Sequence, residues 1–285
     1  MKKIAPLPGC SPRPPLDRVY LALACMARDE GPYLREWLEY HFLIGVQRIY
    51  VYDNGSADDT PDVLAPYIAD GRVIYTAAPG QLMMFPCYAD ALYHGREEAR
   101  WLGFIDVDEF VVPHECDDLR DFLRDYEAYP AVGINWVVFD SSGHEHRPQT
   151  YGALVTANYT HARRDYQYNG TQSYLTIKSF VNPMEVLGMP SAHFGAYRDG
   201  RRAVSETFEE ISGVFSRVNS CRRSQINHYY TKSADEYRQR LARGRSDTRR
   251  KKEFSAADLN FASWKEDLKI ARFLPALKAA MGIAD

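Results

Sequence analysis

Trp101-Leu102-Gly103-Phe104-Ile105-Asp106-Val107-Asp108-Glu109-Phe110-Val111-Val112-Pro113 is the stretch from which the rest of the chain is read. Its apolar run, Trp101 to Ile105, reads as a buried strand, and the carboxylates of Asp106, Asp108 and Glu109 follow. Acids taken out of water are costly unless a cation meets them. Hard divalent cations take carboxylate oxygens, and Mg²⁺ or Mn²⁺ often shares them with a substrate diphosphate. On an extended chain Asp-X-Asp puts both acids on one side, because side chains alternate with period two. That geometry suits one metal and one diphosphate. The same pattern also reads as an acidic surface turn, so the neighbouring elements have to choose.

On the N-terminal side, Val19 to Met26 is a near-continuous apolar run, the look of a buried parallel strand. Arg28-Asp29-Glu30-Gly31-Pro32 follows, then helical spacing from Tyr33 to about Ile44, with Gly45 as a stop. Arg48 to Tyr52 predicts a second strand, Pro61 to Ala69 a helix, Val73 to Thr76 a third strand and Tyr88 to Ala99 another helix. Strand and helix in alternation imply an α/β fold with a mostly parallel central sheet and helices on both faces. Ligands then bind outside the carboxyl ends of the strands. Asp53 and Asp106 both stand at such ends and are expected to share one crevice.

Beyond the acids, a helix is expected near Asp117 to Tyr126 and an apolar strand over Ala131 to Phe139. Asp140 to about Ser224 reads as short strands and long loops. From Ala234 the pattern turns helical and basic, through Arg238, Arg240, Arg243 and Arg245 to Arg249-Arg250-Lys251-Lys252, and a last helix is expected over Asn260 to Met281. The division is a lead-in over residues 1–17, one domain over 18–233 and a helical basic C-terminal extension over 234–285.

The bulk composition of the 285 residues, 45% hydrophobic and 26% charged, is that of an ordinary globular chain. A net charge of −3 argues against a protein that coats nucleic acid. Five scattered cysteines without a CxxC pair read as reduced thiols, not a disulfide framework or zinc site. With no apolar stretch of roughly 20 residues and no signal-like core after Met1-Lys2-Lys3, the expectation is a cytoplasmic protein. The basic run ending at Lys252 is expected to face solvent or an anionic inner membrane surface.

Asp53-Asn54-Gly55-Ser56-Ala57-Asp58-Asp59-Thr60 follows a strand and precedes a helix. An acid there can accept from a nucleobase or ribose, and Gly55 lets the backbone turn towards a ligand. Helix capping by Asp59 or Thr60 explains part of the same pattern.

Taken in order, several blocks resemble the family-92 glycosyltransferases and related family-2-like enzymes. They are Arg28-Asp29-Glu30, Glu36-Trp37-Leu38-Glu39-Tyr40-His41, Ile49 to Asp58 and Trp101 to Pro113, then Asn135 to His144, Pro190 to Phe194, Ile226 to Glu236 and Arg243-Gly244-Arg245. Two departures stand out: Arg28-Asp29-Glu30 replaces the usual Lys-Asn-Glu, and Asp140 stands where Gly is common. The resemblance implies a GT-A-type fold, a nucleotide-sugar donor (often UDP-galactose), Mn²⁺ (or Mg²⁺) and inversion at the anomeric carbon. It assigns Asp106 and Asp108 to the metal, Asp108 the more direct ligand, and Asp53 to the uridine, with Asn54 and Arg28 beside it. His228 reads either as a later metal or diphosphate contact or as a hydrogen-bonded core histidine. Lys232 and the Arg243/Arg245 turn would meet the diphosphate.

An inverting transfer needs a general base, normally Asp or Glu, and the sequence does not single one out. Glu206, in the loop-rich region expected to meet the glycan acceptor, is the first choice; Asp140, Asp165, Glu185 and His193 are rivals. The competing reading is a non-catalytic sugar-nucleotide or glycan-binding protein on the same fold. A nucleotidyltransferase would want a Gly-rich basic loop after the first strand, which Arg28 to Pro32 is not.

Overall fold

In the computed structural model, which describes residues 16–163, 173–191, 193–243, 256–259 and 264–284, the expected alternation is present. It runs β1 (Val19–Ala27), α1 (Gly31–Leu43), β2 (Arg48–Asp53), α2 (Thr60–Ala69), β3 (Val73–Ala77), α3 (Met84–Glu98) and β4 (Ala99–Phe104). Strands β4, β1, β2 and β3 lie side by side and parallel. Pro32 sits in the first turn of α1, where a missing N–H costs nothing. Beyond its end, Gly45 adopts a φ of +97°, which a side chain would resist.

Period two explains the layering. In β1, Leu21, Leu23, Cys25 and Ala27 belong to one core, and Ala22 and Ala24 to the other. In β2, Ile49 and Val51 face the first core and Tyr50 and Tyr52 the second. Helices α1 and α2 supply Trp37, Leu38 and Leu64 to the first face, while α3 supplies Tyr88, Ala91 and Leu92 to the second. Helices therefore cover both faces, as the apolar runs require.

Past β4 the sheet becomes mixed. The remaining strands are β5 (Glu109–Pro113), β6 (Ala131–Phe139), β7 (His161–Arg163), β8 (Ile177–Val181), β9 (Val186–Gly188), β10 (Ala196–Tyr197), β11 (Ala203–Ser205), β12 (Glu210–Ile211), β13 (Ser224–His228) and β14 (Lys265–Glu266). They are joined by helices α4 (Leu119–Arg124), α5 (Val155–Asn158), α6 (Ala234–Arg243), α7 (Ala256–Leu259) and α8 (Leu274–Met281). The sheet runs β12-β11-β6-β8-β4-β1-β2-β3, with β8 antiparallel to both β4 and β6. At the β4–β8 seam Gly103 faces Phe180 in register, and a Cβ on Gly103 would lie 2.5 Å from the Phe180 ring. Glycine is what lets that ring lie across the strand.

Two expectations change. The stretch from Trp101 onward is two strands: β4 ends at Phe104, and β5 leaves to pair antiparallel with β13. Between them the Glu109 N–H donates to the Asp106 carbonyl at 2.9 Å, closing a tight turn. Asp106-X-Asp108 is thus not extended, and period two does not govern where its acids point. The C-terminal helix is also shorter than expected, α8 beginning at Leu274 with Pro275 in its first turn. Ile270, Phe273 and Leu277 share the main core with α1, and the Phe273 ring meets Tyr40 edge-on at 5.6 Å.

Candidate active site

The loops after β1 and β2 are laced together at the carboxyl end of the sheet. Asp53 accepts from the Ser56 N–H at 2.9 Å, the Ser56 hydroxyl at 2.7 Å and the Tyr75 hydroxyl at 2.8 Å. Ser56 Oγ accepts in turn from the Asp29 N–H at 3.0 Å, and Asp29 accepts from the Ala57 N–H at 2.8 Å. Asp58 accepts from Gly31 N at 2.9 Å, so it also stabilises the start of α1. Asn54 donates to the carbonyls of Ala78 and Gly80 at 2.8 Å each, while its own buried Oδ1 has no partner. Arg28 is half exposed at the rim, 3.8 Å from Asp29. The result is a rigid polar ledge.

The acids beside it part company. Asp106, 43% exposed, takes a hydrogen bond from Lys178 at 2.7 Å, and Lys178 also lies 3.2 Å from the buried Glu109. Glu109 Oε2 accepts the Asp106 N–H at 2.8 Å. Burial, opposed by Lys178 and reinforced by Asp106 and Asp108, pushes the Glu109 carboxyl well above the usual range. Burial opposes the charge on Lys178, yet Asp106 and Glu109 raise its affinity for a proton. One cation thus serves two acids.

Asp108 turns towards β13 and α6. His228 Nε2 lies 3.6 Å from its Oδ2, and Arg240 donates to the same oxygen at 2.5 Å. Burial works against ionisation of Asp108, but Arg240 and His228, with Lys232 behind them, hold its carboxyl well below the usual carboxylate range. His228 is carried by β13, which pairs with both β5 and β6, so residues 109, 138 and 228 align across three strands. Trp136, from β6, lies 4.4 Å from the His228 ring and 5.2 Å from His193. Lys232 is 3.3 Å from Glu30 and sits 3.8 Å over the Tyr33 ring. Strands and helices far apart in sequence thus bring Asp106, Asp108, His228 and Lys232 to one sheet edge, where Asp53 and Asn54 also stand.

Glu206 is not among them. It is fully buried and accepts from the N–H groups of Arg222, Arg223 and Ser224, and from the Ser220 hydroxyl. Ser224 begins β13 and His228 ends it, so Glu206 stands roughly 13 Å away at about 3.3 Å per residue. Glu206 fastens a loop and has no free lone pair for an acceptor hydroxyl, which corrects its first place among the candidate bases. Asp140, also buried, accepts from Ser142 N at 2.8 Å and lies 3.7 Å from His161, the placement of a turn-former. Glu185 pairs with Arg201 at 3.1 Å away from this edge. His193 has its Nδ1 3.0 Å from the Ile177 carbonyl, and burial, followed by Lys178, pushes its imidazole down to about 3, a poor base. Asp165, Arg245 and the Arg243 side chain lie outside the described residues.

Sequence reading missed Lys178 and Arg240. Lys178 left a signal: it is the single charge in Ile177-Lys178-Ser179-Phe180-Val181, a buried strand. A lone lysine there needs a carboxylate.

Among the described residues no group of three His, Cys, Asp or Glu side chains is arranged to hold a metal ion. Among the described residues, then, no closed protein cage is present. Asp108 Oδ2 with His228 Nε2 is an oxygen–nitrogen pair of the kind Mn²⁺ accepts, and such ions often take only one or two protein ligands, phosphates completing the shell. An open, substrate-completed site fits, although Arg240 sits on that same Asp108 Oδ2 and Lys178 on Asp106.

The profile of glycosyltransferase family 92 matches residues 23–258. A family 92 protein of Oryza sativa subsp. japonica is 33% identical over 141 residues, 49% of this chain and 24% of that protein. One of Ricinus communis is 35% identical over 145 residues, 49% of this chain and 26% of that protein. The chain spans about a quarter of the length of these relatives. Among solved structures, S. aureus TarS 1-349 in complex with UDP-GlcNAc superposes with a TM-score of 0.41 at 12% identity, over 70% of this chain and 61% of that one. The mannosyltransferase PcManGT from Pyrobaculum calidifontis, in complex with GDP-Man and Mn²⁺, gives 0.35 at 16% identity, over 46% and 38%.

Proposed function

Because this chain belongs to glycosyltransferase family 92, we propose that it transfers a sugar from a nucleotide-sugar donor to a glycan hydroxyl, with inversion and with help from Mn²⁺ or Mg²⁺. UDP-linked donors, UDP-galactose first, are the candidates. The observation that carries this reading is the meeting of Asp108 with His228 at the strand ends that also bear Asp53.

Each residue has a task in that reaction. The Asp53–Ser56 loop and the unpartnered Asn54 Oδ1 form the ledge for the nucleoside. Asp108 and His228 would hold the divalent cation, and Asp106, held by Lys178 on the same turn, would add a carboxylate at the cleft. When bound, the cation supplies charge neutralisation for the nucleoside diphosphate as the glycosidic bond breaks. Lys178 fixes Asp106 from below, a buried post that allows the carboxylate little freedom. Lys232, braced by Glu30 and Tyr33, aims a second cation at the diphosphate. The Trp136 ring, beside His228, offers an apolar face to a sugar. Asp106 and Glu30 are cleft carboxylates that reach solvent and would border the acceptor hydroxyl whose proton must leave.

Contact with anionic lipid through Arg249 to Lys252 is a separate proposal, read by co-sedimentation with vesicles of anionic and of neutral lipid.

The test is a thermal-shift and hydrolysis screen of nucleotide sugars, each with Mn²⁺ and with chelator. A donor that stabilises the chain only with metal, and is slowly hydrolysed, supports the proposal. Stabilisation without turnover, even with glycans added, favours a sugar-nucleotide-binding protein. No response to any nucleotide sinks both.

A further inference from the structure

Arg240 enters the cleft from α6, whose start is fixed by a reciprocal cap. The Ser233 N–H donates to Glu236 at 3.1 Å, and the Glu236 N–H faces Ser233 Oγ at 3.4 Å. From that anchored helix Arg240 reaches Asp108 Oδ2 at 2.5 Å and the Tyr230 carbonyl at 2.7 Å with one nitrogen. Its guanidinium lies 4.6 Å over the Tyr230 ring. The oxygen it occupies is the one that faces His228 Nε2 at 3.6 Å.

A divalent cation held by Asp108 and His228 competes with Arg240 for that one oxygen. Two cations on one carboxylate oxygen repel, so a metal bound at Oδ2 would displace the guanidinium. What it does next depends on what came with the metal. A bare ion offers the evicted guanidinium no new partner. A metal–diphosphate offers it phosphate oxygens, which the planar fork of Arg matches well.

We propose that Arg240 is a resident stand-in for the donor's metal: it neutralises Asp108 while the site is empty, cedes that carboxylate to the metal–nucleotide complex, and then binds the diphosphate. This rests on the donor-and-metal reading above. Its consequence is coupling between ligands: the chain binds Mn²⁺ weakly alone and binds Mn²⁺ with nucleotide as a unit.

Removing the guanidinium then moves two affinities in opposite directions, which a merely structural ion pair does not do. The experiment titrates Mn²⁺ alone, then UDP at saturating Mn²⁺, by calorimetry, into wild type, Arg240→Gln, Arg240→Lys and Asp108→Asn. Arg240→Gln is expected to bind Mn²⁺ alone roughly tenfold or more tighter, the scale of one charge-assisted hydrogen bond no longer in competition. The same variant is expected to bind UDP–Mn²⁺ about tenfold more weakly. Arg240→Lys should fall between wild type and Gln in both titrations. It carries the test alone if the Gln variant does not fold, and identity with wild type in both then overturns the proposal. Unchanged Mn²⁺ affinity in Arg240→Gln, while Asp108→Asn abolishes UDP–Mn²⁺ binding, overturns the stand-in role and leaves the metal reading standing. If Asp108→Asn binds UDP–Mn²⁺ like wild type, the metal reading falls and this inference with it.

Discussion

Lys178 and Asp106 meet at 2.7 Å across the β4–β8 seam, the lysine fully buried and the aspartate open to the cleft. A buried ammonium is tolerated because two carboxylates meet it, Glu109 lying 3.2 Å away. The pair joins the turn that carries the acids to a strand from the second half of the chain. In the proposed reaction it is a positioning contact, Lys178 acting through Asp106 and not on a substrate.

Replacing Lys178 by Met, similar in length and without charge, leaves Asp106 and Glu109 with no cation between them. Breaking one side of a buried pair costs about 3–5 kcal/mol. We expect a loss of that order in urea unfolding. A variant as stable as wild type would mean that water solvates Asp106 well enough without the lysine.

Asp108→Asn keeps the shape of the side chain but removes the charge that Arg240 and His228 share. Metal-dependent turnover of a donor should fall at least a hundredfold, about the effect of losing one preorganised electrostatic contact. The urea midpoint should move little, because Arg240 remains partly open to water. Retained turnover would remove Asp108 from the site.

The parallel half of the fold was legible because β1 and β2 are apolar on both faces, and such runs admit few alternatives. Asp53 and Asp106 were legible too, as acids placed at strand ends. What could not be read was where the chain leaves the sheet. A turn between Asp106 and Glu109 has no Gly or Pro to announce it, so β4 and β5 look like one strand. The partners of the acids were hidden for another reason. Lys178 and Arg240 lie 72 and 132 residues from the aspartates they meet, and no local pattern encodes that pairing. Glu206 misled because a buried acid that accepts backbone N–H groups looks, in sequence, like any acid in a loop.

Glu206→Gln tests that correction. The amide keeps one acceptor oxygen but turns a donor towards the N–H groups of residues 222–224, so at least one buried N–H is left unpaired. Stability should drop by about 1–3 kcal/mol, read by denaturant unfolding. The folded fraction should keep wild-type KM and the wild-type pH profile of kcat. A collapse of kcat with stability intact would restore Glu206 as a base.

Glu236 links stability to pH. Burial, partly offset by the Ser233 N–H and reinforced by Glu30, raises its carboxyl to about 7 from an ordinary value of 4.5. A folded-state value above the unfolded one means that the native chain holds the proton more tightly. Stability is therefore favoured below about 4.5 and is lost progressively as pH rises towards 7. Glu236→Gln removes the titration while an amide oxygen can still accept the Ser233 N–H. Between pH 5 and pH 8 the melting temperature of the Gln variant should gain steadily on that of wild type. A constant difference across that range would show that the cap carboxylate titrates as it does in water.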